Sequence, residues 1–365
     1  MVLRSWLVAL MRGEGPPAGP PGDLPPQACL QAAQVEGVVA LVHSRLQDRA
    51  IASLATPELQ DLFAAAARER AARSLLLQAE TRRVLKCFEA GSIPVLVIKG
   101  SALAHWLYST PHLRECEDVD LLFPSREDVQ RAAELLRPEG YDWLGPAGDL
   151  ARCEATCTRV PEAGPSLELD LHWDIGGSPV YERRFSFQEL AEEALLLPSL
   201  AEGARGLGPV HALVHAALHR ALQLWMGTGD RLKWLFDFHE MARRFTEAEW
   251  DELLSLAREK GLCGTCLHAL RASERTFGTP LPLEVLEGLQ RRAPEEGLDL
   301  ARMDRWGYLQ RMNFRALPGP RLKLRWLRQR LLPPGAYLRH HFGGAGGTPA
   351  ALLRYLGTGL RNLGK

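Results

Sequence analysis

Asp118 and Asp120 stand two residues apart in ECEDVDLLF, a stretch whose remaining apolar residues read as a buried strand. On a strand the side chains at i and i+2 leave the same face, so the two carboxylates sit side by side and repel unless a cation lies between them. Hard divalent ions take oxygen ligands from one or two carboxylates and fill the remaining positions with substrate phosphates. The spacing therefore predicts a clamp for Mg²⁺, or for Mn²⁺, with Asp118 and Asp120 as ligands. A third carboxylate on a neighbouring strand would let two metals bracket an in-line phosphoryl transfer. Asp170 is the best placed. It lies mid-strand in SLELDLHWDI, where Leu167, Leu169, Leu171 and Trp173 alternate with Glu168, Asp170, His172 and Asp174. His172 shares the face of Asp170 and is a candidate substrate contact or support for a metal ligand.

Gly100-Ser101 follows the IPVLVI run and opens a helical stretch. Backbone N–H groups and the dipole at such a helix start favour a phosphate. Gly allows close approach, the Ser hydroxyl can donate, and Lys99 adds charge. Arg114 has two readings, a phosphate contact or an ion pair with an acidic neighbour.

These residues need a scaffold. After a Pro/Gly-rich stretch (Gly13 to Pro26), apolar positions recur at helical spacing, as in Leu59, Leu62, Phe63 and Ala66, so residues 1–85 form an N-terminal helical region. Residues 86–180 read as strand (IPVLVI), helix (SALAHWLY), strand (DVDLLF), helix (REDVQRAAELLRPEGY) and strand (SLELDLHWDI). Residues 181–290 are helical again, with breaks at Gly203 to Gly208 and Gly227 to Gly229, and residues 291–365 form a basic, Leu-rich tail.

At 365 residues, with 46% hydrophobic and 24% charged residues, the chain has the make-up of a globular protein with ample core. Lys plus Arg (44) equals Asp plus Glu (44), which argues against a protein that coats nucleic acid. No run of about 18 apolar residues is present, and the seven cysteines are odd in number and scattered. Both point to a cytoplasmic protein with reduced thiols.

The order of the motifs resembles the polymerase-beta-like nucleotidyltransferase fold, and more narrowly a group of bacterial nucleotidyltransferase-family proteins. The matching residues are Lys99-Gly100-Ser101-Ala102-Leu103, then Arg114, then Asp118-Val119-Asp120-Leu121-Leu122, and the Asp170-Leu171-His172-Trp173 strand. The likeness continues through His215, His219 and the RLKWLFDF segment, covering roughly residues 27 to 290. It implies an α+β core, a small mixed sheet with helices, flanked by helical regions. The implied chemistry is transfer of NMP from an NTP, ATP first among them, to a hydroxyl acceptor with release of pyrophosphate. Asp118, Asp120 and Asp170 hold the metal, while Lys99, Gly100 and Ser101 position the triphosphate. His215, Arg231, Lys233 and Asp237, in a helical lobe closing the cleft, contact the nucleotide. One departure is the ECE before Val119, which places Glu115 and Glu117 near the metal.

Other readings stay open. The fold could serve a catalytically silent binding or assembly protein, or a toxin-like enzyme acting on tRNA or protein. His211, His215 and His219 share one helical face and, with Asp237, suggest a metal phosphohydrolase, against core histidines as the plainer reading. Cys153 with Cys157 and Cys263 with Cys266 would make a zinc site only if the fold joins the pairs. The tail interleaves Arg and Lys with Leu and Trp, which suits an anionic membrane surface, RNA, or packing on the body with solvated Arg.

Overall fold

The computed structural model describes residues 2–13, 24–48, 51, 55–145, 153–162, 164–225, 229–303, 305–343 and 347–363. Residues 14–23 of the Pro/Gly-rich stretch and Gly227 lie outside these. Helices α1 (Val2–Arg12), α2 (Pro26–Glu36), α3 (Val39–Leu46) and the long α4 (Pro57–Ala90) come first. The start of α4 is fixed by Thr56, whose side chain accepts from Leu59 N, and by Pro57 in the first turn.

The strand-bearing region follows: β1 (Leu96–Ile98), α5 (Lys99–Trp106), β2 (Val119–Leu122), α6 (Arg126–Leu136), β3 (Asp142–Gly145), β4 (Glu154–Arg159), β5 (Leu167–His172), α7 (Phe187–Glu192), β6 (Leu195–Leu196) and β7 (Arg205–Gly206). The remainder is helical: α8 (Pro209–Trp225), α9 (Leu232–Ala242), α10 (Glu247–Glu259), α11 (Cys263–Phe277), α12 (Leu283–Arg292), α13 (Trp306–Ala316), α14 (Gly319–Leu331), α15 (Gly335–Phe342) and α16 (Gly347–Leu363).

The strands form one mixed sheet in the order β3-β4-β5-β2-β1-β7-β6. β2 runs antiparallel to β1 and parallel to β5, which in turn pairs antiparallel with β4. This is the α+β architecture the motifs imply. β1, β2 and β5 fall where the apolar runs place them; β3, β4, β6 and β7 extend the sheet on both sides.

Alternation along β2 and β5 separates the two faces. Val119, Leu121, Leu167, Leu169 and Leu171 pack against Val84 and Phe88 of α4 and Val129 and Leu136 of α6. Each such side chain removed from water contributes about 1.5–3 kcal/mol. Leu96, Ile98 and Leu122 join Leu213, Ala217 and Leu218 of α8 in a second cluster on the opposite face. A third cluster ties Trp6, Leu7 and Val42 of the first helices to Phe63 of α4 and to Leu232 and Phe236 of α9. The polar side chains of β2 and β5 therefore look toward a helical layer that is itself well anchored.

The tail folds back onto this body. Asn313 of α13 and Trp326 of α14 are buried, and α13 packs against α8. Leu324, Leu331 and Leu332 are exposed. No described helix is long and apolar enough to cross a membrane.

Candidate active site

Three adjacent strands set the site. Asp120 on β2 is the register partner of Asp170 on β5, and Leu122 that of His172. On the other side of β5, Thr156 of β4 lies opposite Asp170 and Glu154 opposite His172. Thr156 Oγ1 donates to Asp170 Oδ1 at 2.8 Å. Asp118 stands in the bend just before β2.

A cation already sits among these groups. Lys99, at the junction of β1 and α5, adopts φ +54°, a left-handed backbone unusual for a residue with a side chain. Its Nζ lies 2.5 Å from Asp120 Oδ1 and 3.2 Å from His172 Nε2. His172 Nε2 is also 2.9 Å from Asp120 Oδ1, and its Nδ1 is 3.5 Å from Glu154 Oε2. Burial alone would raise the pKa of Asp120, but the Lys99 ammonium and the His172 hydrogen bond outweigh it and hold this carboxyl below the usual range. Burial would likewise lower the pKa of Lys99; Asp120, Glu154, Asp170 and Asp118 outweigh it and push it up. Asp118 is pushed up to about 6 by burial and by the negative charge of Asp120. Asp170 is raised by burial and then by Glu154 and Asp120.

Asp120, Asp170 and His172 each offer one ligand atom, all within 4.8 Å of one another. Two carboxylates and an imidazole form a donor set that suits a divalent ion such as Mg²⁺ or Mn²⁺. That group shares Asp120 and Asp170 with the sequence-derived set and adds His172, while Asp118 flanks it. Among the described residues no cysteine belongs to such a group; the seven cysteines are free thiols, with Cys153 and Cys157 on the sheet and Cys263 and Cys266 on α11.

A cavity of about 230 Å³ gathers the nucleotide-binding candidates: Lys99, Gly100, Ser101, Arg114, His215, Arg231, Lys233 and Asp237 line it together with Asp118 and Asp120. Several are engaged with one another. Arg114 forks onto Asp237, with Nε 2.8 Å from Oδ1 and Nη2 2.8 Å from Oδ2, both side chains being buried. Tyr108 donates to the same carboxylate at 2.6 Å. This ties Asp237 to Arg114 rather than to the histidine row. Ser101 Oγ donates to the carbonyl of Asp118 at 3.2 Å, bracing the approach to β2. A Cβ at Gly100 would stand 3.0 Å from both Arg114 Nη1 and Cys116 Sγ, so these side chains would have to give way by a few tenths of an ångström. Arg231 stacks over the Trp234 ring at 5.5 Å, and Lys233 Nζ donates to the Glu115 carbonyl at 3.3 Å.

Glu115 and Glu117, placed near the metal by sequence proximity, line the same cavity as Asp118 and Asp120, with their carboxylates engaged by other partners. Buried Glu115 accepts from Ala40 N at 3.0 Å and pairs with Arg70, and exposed Glu117 pairs with Arg70 as well. The histidines divide. His211 packs edge-on against Phe185 and His219 edge-on against Trp234, while His215 and His219 both border the site. Burial, and then the nearby Lys99 charge, keep His215 and His219 neutral by lowering their pKa values, that of His219 to about 3.

A second cavity, of about 290 Å³, adjoins the first, and Asp170, His172, Glu154 and Glu168 line it. Lys99, Asp118, His215 and His219 border both cavities. Glu154 and Thr156 were not singled out in the sequence; alternation of Glu154, Thr156 and Thr158 with Cys153, Ala155 and Cys157 is the signal that finds them.

No curated protein matches the chain. The sequence model of a family described as an uncharacterised nucleotidyltransferase matches residues 23–278, which take in both the acidic strands and the helices that face them. On this match and the fold that carries it, the chain belongs to that nucleotidyltransferase family.

Proposed function

We propose that the protein transfers a nucleoside monophosphate from an NTP to a hydroxyl acceptor, with a divalent ion, Mg²⁺ or Mn²⁺, as cofactor. The observation that carries this reading is the placement of Asp120 on one cavity and Asp170 on the other, with Lys99 and Asp118 bordering both. A nucleotide and an acceptor held in adjoining cavities that share one acidic group can be brought together for in-line attack.

Asp120, Asp170 and His172, with Asp118 beside them, would hold the ion. Bound there, it supplies charge neutralisation at the triphosphate and acidifies the attacking hydroxyl. The chain's own groups do the rest. Backbone N–H groups at the start of α5, with Arg231 and Lys233, orient the phosphates. Asp170, which lines the second cavity, is placed to take the acceptor's proton. The acceptor oxygen forms a bond to the α-phosphorus, the bond from that phosphorus to the bridging oxygen breaks, and pyrophosphate leaves with the electron pair. Neutral His215 and His219 line both cavities without adding charge.

The test is turnover of α-phosphate-labelled NTP with a mixture of candidate acceptors and Mg²⁺. Label should pass to a product together with equimolar pyrophosphate, and Asp120→Asn should abolish both. Equal turnover in the variant would overturn the assignment.

A further inference from the structure

The second cavity is completed from outside the family match. Residues 23–278 supply its acidic side, but Trp306, Gln310 and Asn313 of α13 supply the opposite wall. That wall carries buried polar atoms that find no protein partner. Asn313 is 0% exposed; its Oδ1 accepts from Val180 N at 3.2 Å, and its Nδ2 has no partner. Gln310 Oε1 and the hydroxyl of buried Ser178, both on the same cavity, are also unpartnered. Such groups are costly to leave dry and unpaired, so their concentration on one cavity next to the catalytic carboxylates points to a ligand that pairs with them.

Resting on the nucleotidyl-transfer reading, we propose that this cavity is the acceptor site and that α13 sets its specificity for a small, uncharged or cationic polyhydroxylated molecule of sugar or amino-sugar type. Asn313 Nδ2 offers a donor, Gln310 Oε1 an acceptor and Ser178 Oγ both; a run of hydroxyls answers all three, since each hydroxyl donates and accepts. The ring of Trp306 offers an apolar surface for the C–H face of a sugar ring. Among the residues lining this cavity the carboxylates Asp118, Glu154, Glu168 and Asp170 outnumber the cations Lys99 and Arg330, a balance that disfavours anions and favours an amine. The same charges work against the phosphates of an RNA end. A cavity of about 290 Å³ is at the lower limit of small-molecule clefts, which run from about 300 to 1,000 Å³.

The experiment is ligand-observed NMR of the full chain, without nucleotide, against a panel of monosaccharides, disaccharides, amino sugars, inositol and sugar phosphates. We expect a neutral or amino sugar to bind and the sugar phosphates to fail. Gln310→Ala and Asn313→Ala should each weaken that binding at least tenfold, with Mg²⁺-NTP binding as the unaltered control. Asn313 is fully buried, so Gln310→Ala, at a half-buried position, keeps the test valid if the other variant does not fold. Absence of sugar binding, sugar binding indifferent to both variants, or preferential labelling of RNA 3′ ends would each overturn the proposal. Loss of Mg²⁺-NTP binding in the wild type would instead strike the nucleotidyl-transfer reading, and the nucleotide-free sugar measurement separates the two.

Discussion

Lys99 Nζ lies 2.5 Å from Asp120 Oδ1, and this ion pair occupies the centre of the acidic group that two strands were expected to leave to a metal alone. The lysine reaches it from a left-handed backbone at the junction of β1 and α5. The ammonium thus compensates Asp120 and Asp170 when no divalent ion is bound. It also stands where the two cavities meet.

Lys99→Ala should therefore destabilise the metal-free protein. Removing one partner of a buried ion pair costs about 3–5 kcal/mol, because the other charge is left uncompensated. Mg²⁺ should restore much of that loss by taking over the compensation. Melting temperatures with and without Mg²⁺ check this: the Mg²⁺-induced rise should be larger in the variant than in the wild type.

The pairing also changes what is expected of the aspartates. If Asp118 and Asp120 merely repelled each other, alanine at either position would leave stability untouched. Asp120 is instead held by Lys99 and His172, so Asp120→Ala should destabilise the fold, while Asp118→Ala should not. Asp120→Asn keeps the shape and should still lower transfer by about 10²–10³-fold or more, the scale of losing one preorganised electrostatic group. Denaturant titration and steady-state rates of the three variants separate the two effects.

Arg114 and Asp237 form a buried fork at the edge of the first cavity. Arg114→Ala or Asp237→Ala should each cost about 3–5 kcal/mol, with the double variant far less than additive. A double-mutant cycle on unfolding free energies measures the coupling. An additive result would show that the two side chains act separately.

Metal affinity should fall in acid. Asp118 is pushed up to about 6, so a proton occupies it below that pH in the metal-free protein, whereas metal binding needs the anion. Mg²⁺ affinity should therefore fall as pH drops through about 6, and Asp170, a ligand whose carboxyl is raised as well, adds to the fall. The raised pKa of Asp118 also means that this group's contribution to metal-free stability is full below its unfolded value of 3.8 and is lost as pH rises through about 6. Calorimetry between pH 5 and 8 in non-chelating buffer reads the first effect.

The central strands were legible because their apolar residues alternate with the carboxylates: β2 and β5 each expose Asp on one face and Leu on the other. β4 was missed, since Glu154-Ala-Thr-Cys-Thr-Arg159 has few β-branched or aromatic residues, so its polar–apolar alternation is a weak signal that its pairing with β5 makes decisive. Its contribution to the site, Glu154 and Thr156, was lost with it. Gly100, Ser101 and Arg114 were named from the sequence and line one cavity, yet the pairing of Arg114 with Asp237 depends on an approach across some 120 residues of chain, which no local pattern encodes. The wall formed by Gln310 and Asn313 lies outside the motif-bearing region and emerges only because the tail folds back over β5.

The most direct measurement is calorimetric titration of a non-hydrolysable NTP, with and without Mg²⁺, into the wild type and Asp120→Asn. The account predicts saturable binding that requires Mg²⁺ and is lost in Asp120→Asn, with both proteins equally folded. Absence of binding by any of the four NTP analogues, or binding indifferent to both Mg²⁺ and Asp120, would contradict it and leave a nucleotidyltransferase fold used for something other than catalysis.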